Sequence, residues 1–182
     1  VILYVSLASY LETILAGEGS RQEAAQLAGA RLLRLHKKLA HPIGNLWELS
    51  PVQRIALGWL CEMATLMQTY ENKNQDHIYW QDFNAFLGAP STALAEIAQH
   101  FALEMNAAHA QQLVGGPIMK SYSKAPEHDY SPDLRRQLLD QARTHHGADI
   151  RKTLDWVEGL AKNHALIDTI VTFANTSPRK TK

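Results

Sequence analysis

Apolar residues fall at helical spacing over most of this chain and break off at a few capped turns. Val1-Ile2-Leu3-Tyr4-Val5 is a β-prone apolar run. Ser6 then stands as a cap before Leu7, Tyr10, Leu11, Ile14 and Leu15, an i, i+3, i+4 face closed by Gly17 and Gly19. Ser20, with Glu23 three residues on, predicts a capping box opening a second helix to about Leu39, with Leu27, Ala28, Leu35 and Leu39 turned inward. Ser50-Pro51 opens the most regular stretch of all: Val52, Ile55, Ala56, Trp59, Leu60, Met63, Leu66, Met67 and Tyr70 keep to one stripe, which predicts a central packing helix.

A polar stretch from Glu71 to Asp76 leads to a second short strand at Ile78–Trp80. Asp82 is placed to cap a short helix carrying Phe83, Phe86 and Leu87. Gly88 and Pro90 then punctuate the chain before a helix with Leu94, Ile97, Ala98 and Phe101 on one face. Asn106 caps a further short helix through Leu113, and Gly115-Gly116-Pro117 breaks the chain. Neither a helical nor an alternating period holds from Met119 to Tyr130. Ser131-Pro132 restarts a helix with Leu134, Leu138 and Ala142 inward, expected to end at Gly147. Two more helices follow, on Ile150, Leu154, Val157 and Ala161, and on Leu166, Ile167, Ile170, Val171 and Ala174; from Ser177 the chain is a basic tail. The reading is a mainly helical chain with two short strands, parallel and adjacent or one strand apart, the helices between them forming a right-handed crossover.

Composition narrows the possible functions. The chain of 182 residues, 46% hydrophobic, can bury one substantial core, and residues 1–176 are expected to belong to a single domain. Lys plus Arg and Asp plus Glu number 18 each, so no global field attracts nucleic acid or an anionic membrane, and any anion site is local. No apolar run approaches the roughly 20 residues of a membrane span. Cys61, the single cysteine, excludes an internal disulfide and suits a reducing, cytoplasmic setting. It lies off the Trp59 stripe, among Arg54, Glu62 and Thr65, with no neighbour to activate its thiol.

The nine histidines lack the i, i+4 pairing with an acidic partner that a zinc helix shows, so no metal is expected. Neither a Gly-x-Ser-x-Gly elbow nor a Gly-x-x-x-x-Gly-Lys-Ser/Thr phosphate loop occurs. Arg31, Arg34, Lys37 and Lys38 form a basic stretch read as a solvated face that complements the helix dipole. Arg21, read at a helix N-terminus, is a candidate anion ligand. The segment from Gly115 to Tyr130 is the richest in site chemistry. Lys120 and Lys124 offer point charges, Ser121 and Ser123 hydroxyls, and Gly115-Gly116 an approachable backbone.

Two segments carry a resemblance. Asp82-Phe83-Asn84-Ala85-Phe86-Leu87-Gly88-Ala89-Pro90 resembles the acidic-aromatic-x-x-Leu-x-x-Pro segment of P-loop sulfotransferases. Tyr122-Ser123-Lys124-Ala125-Pro126-Glu127-His128 resembles a segment of their bacterial relatives. The resemblance implies the C-terminal part of an α/β, three-layer parallel-sheet P-loop domain. Such a protein transfers a sulfuryl group from 3′-phosphoadenylyl sulfate, its co-substrate, to a hydroxyl or amine. It further implies Lys120, Ser123 and Lys124 as donor contacts and Thr13 at a phosphate-binding serine position. Val5 stands where the family has a phosphate-binding arginine. The phosphate loop and the catalytic base are expected upstream of Val1, so catalytic residues are not assigned. The alternative reading is a non-catalytic helical binding or scaffold module.

Overall fold

The computed structural model describes residues 1–72, 75–122, 125–129 and 131–176, with the backbone alone at residues 75, 118, 120–122 and 125–129. It is mainly helical, with a two-stranded parallel sheet and a two-stranded antiparallel one. The chain divides into two compact units. One comprises Val1–Val5 with Asn74–Gln137, the other Ser6–Lys73 with Leu138–Lys182.

In the first unit, β1 (Ile2–Tyr4) pairs in parallel with β2 (Trp80–Asp82), in the register Ile2↔Trp80, Leu3↔Gln81 and Tyr4↔Asp82. The expected parallel pairing is present and adjacent. The second strand, however, lies two residues beyond the Ile78–Trp80 reading. Tyr79 contributes its carbonyl to the Ile2 N–H at 2.8 Å, and the ladder then continues through Gln81 to Asp82 rather than stopping at the tryptophan. Tyr4, 4% exposed, meets Trp80 edge-on with ring centroids 5.9 Å apart. The opposite side of the strand is less covered, and Leu3 is 54% exposed.

Asp82 ends β2 and begins α4 (Phe83–Gly88): one carboxylate oxygen accepts the Ala85 N–H at 2.7 Å, as its position before the aromatic pair predicts. Pro90 occupies the first turn of α5 (Pro90–His100), whose missing N–H costs the helix nothing there. The helix closes with the Leu103 N–H on the Ala98 carbonyl, 2.8 Å, and Ala102 in the left-handed region at φ 52°. Asn106 caps α6 (Ala107–Gly115) through the His109 N–H, 2.8 Å, and α6 packs on α5. A short 3₁₀ turn, Pro117–Lys120, leads to β3 (Ser121–Tyr122), antiparallel to β4 (Ala125–Asp129). This hairpin falls where no period was legible, since a two-residue strand and a bulged register leave no alternation to detect.

The second unit is built around α3 (Pro51–Glu71). Ser50 and Gln53 cap it reciprocally, with the Gln53 N–H on Ser50 Oγ at 3.2 Å and the Ser50 N–H on Gln53 Oε1 at 2.8 Å. Burial extends well past the predicted stripe. Leu57, Gly58, Cys61 and Ala64 are buried along with Val52, Ile55, Trp59, Leu60 and Met63, because α3 is packed by α1 (Leu7–Ala16), α2 (Glu18–His36) and α8 (Ala165–Thr176). Cys61 is therefore a core residue, and burial pushes its thiol pKa up.

Three further expectations change here. Gly17 both closes α1 and precedes α2, so Ser20 lies inside the first turn of α2 and is not its cap. The inward stripe of α2 is Ala24, Ala28, Leu32 and Leu35, while Leu27 is 37% exposed. Gly147 does not end a helix: α7 (Pro132–Ala161) is continuous through it, because an interior glycine costs about 1 kcal/mol, which the buried Ala142, Ile150 and Val157 outweigh. Leu134, expected inward, is 39% exposed on its first turn. Within the second unit Glu12 of α1 accepts both Nε and Nη2 of Arg143 of α7, at 2.8 and 2.9 Å, with Asp140 taking Nη1 at 2.7 Å.

Candidate functional site

Parallel strands that each run straight into a helix bring their carboxyl ends and the first helical turns to one edge, where α/β sheets receive ligands. In the first unit that edge is formed by Tyr4 and Val5 at the end of β1, by Asp82 at the end of β2, and by the start of α4. Asp82 is spent on its cap, and the Gln81 amide donates to the Asp82 carbonyl at 2.9 Å. The hydrogen bonds here hold the turn. Val5 is half-buried, and its side chain offers no polar group to a phosphate.

Beside the turn, Phe83 and Phe86 stack with centroids 6.4 Å apart at an interplanar angle of 7°. The Arg135 guanidinium lies over the Phe83 ring, 5.8 Å from its centroid, and its Nη2 donates to Asn84 Oδ1 at 2.8 Å. Arg135 comes from the first turns of α7, where Ser131 Oγ accepts the Leu134 N–H at 3.1 Å. A half-buried arginine is thus fixed at the carboxyl edge of the sheet by two contacts on the turn after β2. Nothing local in the sequence marks it, because its partners lie about 50 residues earlier in the chain.

Thr13 is on α1, exposed, and its hydroxyl donates to the Ser9 carbonyl at 2.7 Å, so only its oxygen lone pairs remain for a ligand donor. Arg21 is the fourth residue of α2, and its backbone N–H already donates to the Gly17 carbonyl at 3.1 Å. That removes the backbone part of the expected anion site at this residue and leaves an exposed side chain. Thr13 and Arg21 belong to the second unit and Lys120 to the first. Lys120 closes the 3₁₀ turn before β3, with its backbone alone described. Ser123 and Lys124 lie outside the described residues.

The basic stretch at the end of α2 is solvated in part: Arg34 and Lys37 are exposed, as expected, while Arg31 and Lys38 are half-buried. Arg31 Nη1 would lie 3.0 Å from a Cβ at Gly58. Lys38 donates to Gln68 of α3 at 2.6 Å. Tyr10 reaches the same place on α3. Burial raises its phenol pKa, against the opposing pull of Arg31. Tyr10 and Arg31 thus meet at Gly58 of α3, where Arg31 Nη1 is buried with no hydrogen-bond partner among the described residues. Among the described residues no three His, Cys, Asp or Glu side chains gather as metal ligands, and no helix is long and apolar enough to cross a membrane.

No protein-family model, no curated protein and no solved structure matches this chain.

Proposed function

We propose that this chain is the C-terminal part of a P-loop sulfotransferase-like domain that transfers a sulfuryl group from 3′-phosphoadenylyl sulfate to a hydroxyl or amine. The observation that carries the reading is the parallel β1–β2 pair. Its second strand ends in Asp82 and passes at once into the capped α4 and the Pro90-initiated α5. The segment Asp82 to Pro90 is the one whose sequence resembles that family, and its passage from strand through a capped turn into a Pro-initiated helix supports the reading. A two-stranded parallel sheet is small for independent stability, and Leu3, 54% exposed, leaves apolar surface for further elements of such a domain to cover.

Sulfuryl transfer is chiefly a matter of positioning and charge. The acceptor oxygen or nitrogen must lie in line with the sulfur, and the departing phosphate must be neutralised. Lys120, Ser123 and Lys124 would contribute charge and hydroxyl donors to the nucleotide phosphates. The acceptor's proton would go to a base supplied from outside this segment.

The test is a calorimetric titration of the complete gene product with adenosine 3′,5′-bisphosphate, beside the Lys120→Ala/Lys124→Ala variant. Each lost charged hydrogen bond should weaken binding by about 1.5 to 3 kcal/mol while the melting temperature stays within a degree or two. Unchanged affinity in the double variant would remove both lysines from the site. Absence of binding by the unaltered protein would favour the non-catalytic scaffold.

A further inference from the structure

We infer that Arg135 is an anion ligand at the carboxyl edge of the β1–β2 sheet, taking a phosphate or sulfate group of the nucleotide donor. The inference rests on the sulfotransferase-like reading and adds to it a residue that the sequence did not indicate.

A guanidinium carries five N–H groups and is always charged. Arg135 gives one of them, from Nη2, to Asn84 Oδ1 at 2.8 Å, and that acceptor is a neutral amide. Among the described residues it forms no ion pair. The next residue differs: Arg136 sits 3.3 Å from Asp133 Oδ1, an exposed pair within one turn of α7. Arg143, further along the same helix, has all its nitrogens engaged by Glu12 and Asp140. Of these three arginines on one helix, two are answered by carboxylates and one by an amide.

Phe83 and Asn84 are the first two residues of α4, directly after Asp82, so a guanidinium that stacks on one and bonds the other is held at the end of β2. Tyr4 pairs with Asp82 in register, which places the end of β1, and Val5 after it, at the same edge. Val5 brings no charge there, and Arg135 does. The two contacts also hold the long side chain in place, so an anion need not meet the full entropic cost of ordering a free arginine. A planar fork with two or more unspent N–H groups suits the paired oxygens of a phosphate or sulfate.

The experiment titrates the complete gene product with adenosine 3′,5′-bisphosphate at several salt concentrations, for the unaltered protein and for Arg135→Gln, Arg135→Lys and Arg136→Gln. The melting temperature of each is recorded alongside. Arg135→Gln should weaken binding about 10- to 100-fold and flatten its salt dependence. Arg135→Lys should recover part of the loss because it restores the charge without the fork. Arg136→Gln should match the unaltered protein. A merely structural arginine would lower the melting temperature and leave affinity and salt dependence, measured well below that temperature, as they were; affinity within twofold in Arg135→Gln overturns the inference and leaves the sulfotransferase-like reading standing. No binding by the unaltered protein overturns both.

Discussion

Replacing Gly58 by alanine puts the packing of the second unit to a quantitative test. In an open helix interior the change stabilises by about 0.8 to 1 kcal/mol, because alanine loses less backbone freedom on folding. Gly147 and Gly159 of α7 have that room. A Cβ at Gly147 meets only Arg151 Nη1 at 3.7 Å, and one at Gly159 meets nothing within 4 Å. At Gly58 a Cβ would stand 2.5 Å from the Tyr10 hydroxyl, 3.0 Å from Arg31 Nη1 and 3.2 Å from Arg31 Cζ. Arginine can swing aside, but the tyrosine ring is half-buried and must move by a good fraction of an ångström. Overpacking of this kind costs about 1 to 3 kcal/mol. Set against the helix gain, Gly58→Ala should destabilise by about 1 kcal/mol, a fall of about 2 to 4 °C in melting temperature for a chain of this size, while Gly147→Ala and Gly159→Ala should each raise it. Urea denaturation of the three variants, with Tyr10→Phe/Gly58→Ala as a fourth, reads this directly. Removing the hydroxyl removes the nearest clash, so the double variant should regain most of the loss. A Gly58→Ala protein as stable as Gly147→Ala would refute the close approach of Tyr10 and Arg31 to α3.

Two other outcomes follow from the same unit. Thr153 is 1% exposed and its Oγ1 has no hydrogen-bond partner among the described residues, so Thr153→Val should stabilise by about 1 kcal/mol in chemical denaturation. Arg143→Gln should cost about 1 to 2 kcal/mol, less than a fully buried pair would, because the Arg143 side chain is 56% exposed while Glu12 is 11% exposed. Adding Glu12→Gln should return part of that loss in a double-mutant cycle, since it removes the stranded carboxylate.

Much of the fold was legible because its signals are local. The Ser6, Ser50, Asp82 and Asn106 caps each bond a backbone N–H three residues on, and all four were readable as a polar residue before an apolar period. What escaped depends on distance in sequence or on competition between neighbours. The register of β2 is set by β1, not by its own β-propensity, which favours Ile78 and Tyr79 over Gln81 and Asp82. Ser20 lost the cap because the turn at Gly17 starts α2 earlier. Gly147 reads as a stop only if the tertiary burial of Ala142 and Ile150 on either side is unknown. Likewise Gly58 looks like a weak point in a helix until Tyr10 and Arg31 are seen to need its missing side chain.

The site was legible in part. The turn at Asp82 was found because its cap and its aromatic pair are contiguous in sequence. Arg135 was not, since an arginine beside another arginine at the start of an amphipathic helix has the pattern of a solvated face. Only the fold, by carrying α7 back to Asn84, separates it from Arg136.

The central claim is sulfuryl transfer, and donor turnover by the complete gene product measures it most directly. With 3′-phosphoadenylyl sulfate and a panel of hydroxyl and amine acceptors, the account predicts release of adenosine 3′,5′-bisphosphate matched mole for mole by sulfated acceptor. Nucleotide release no faster than in buffer, across acceptors of both kinds, would contradict it.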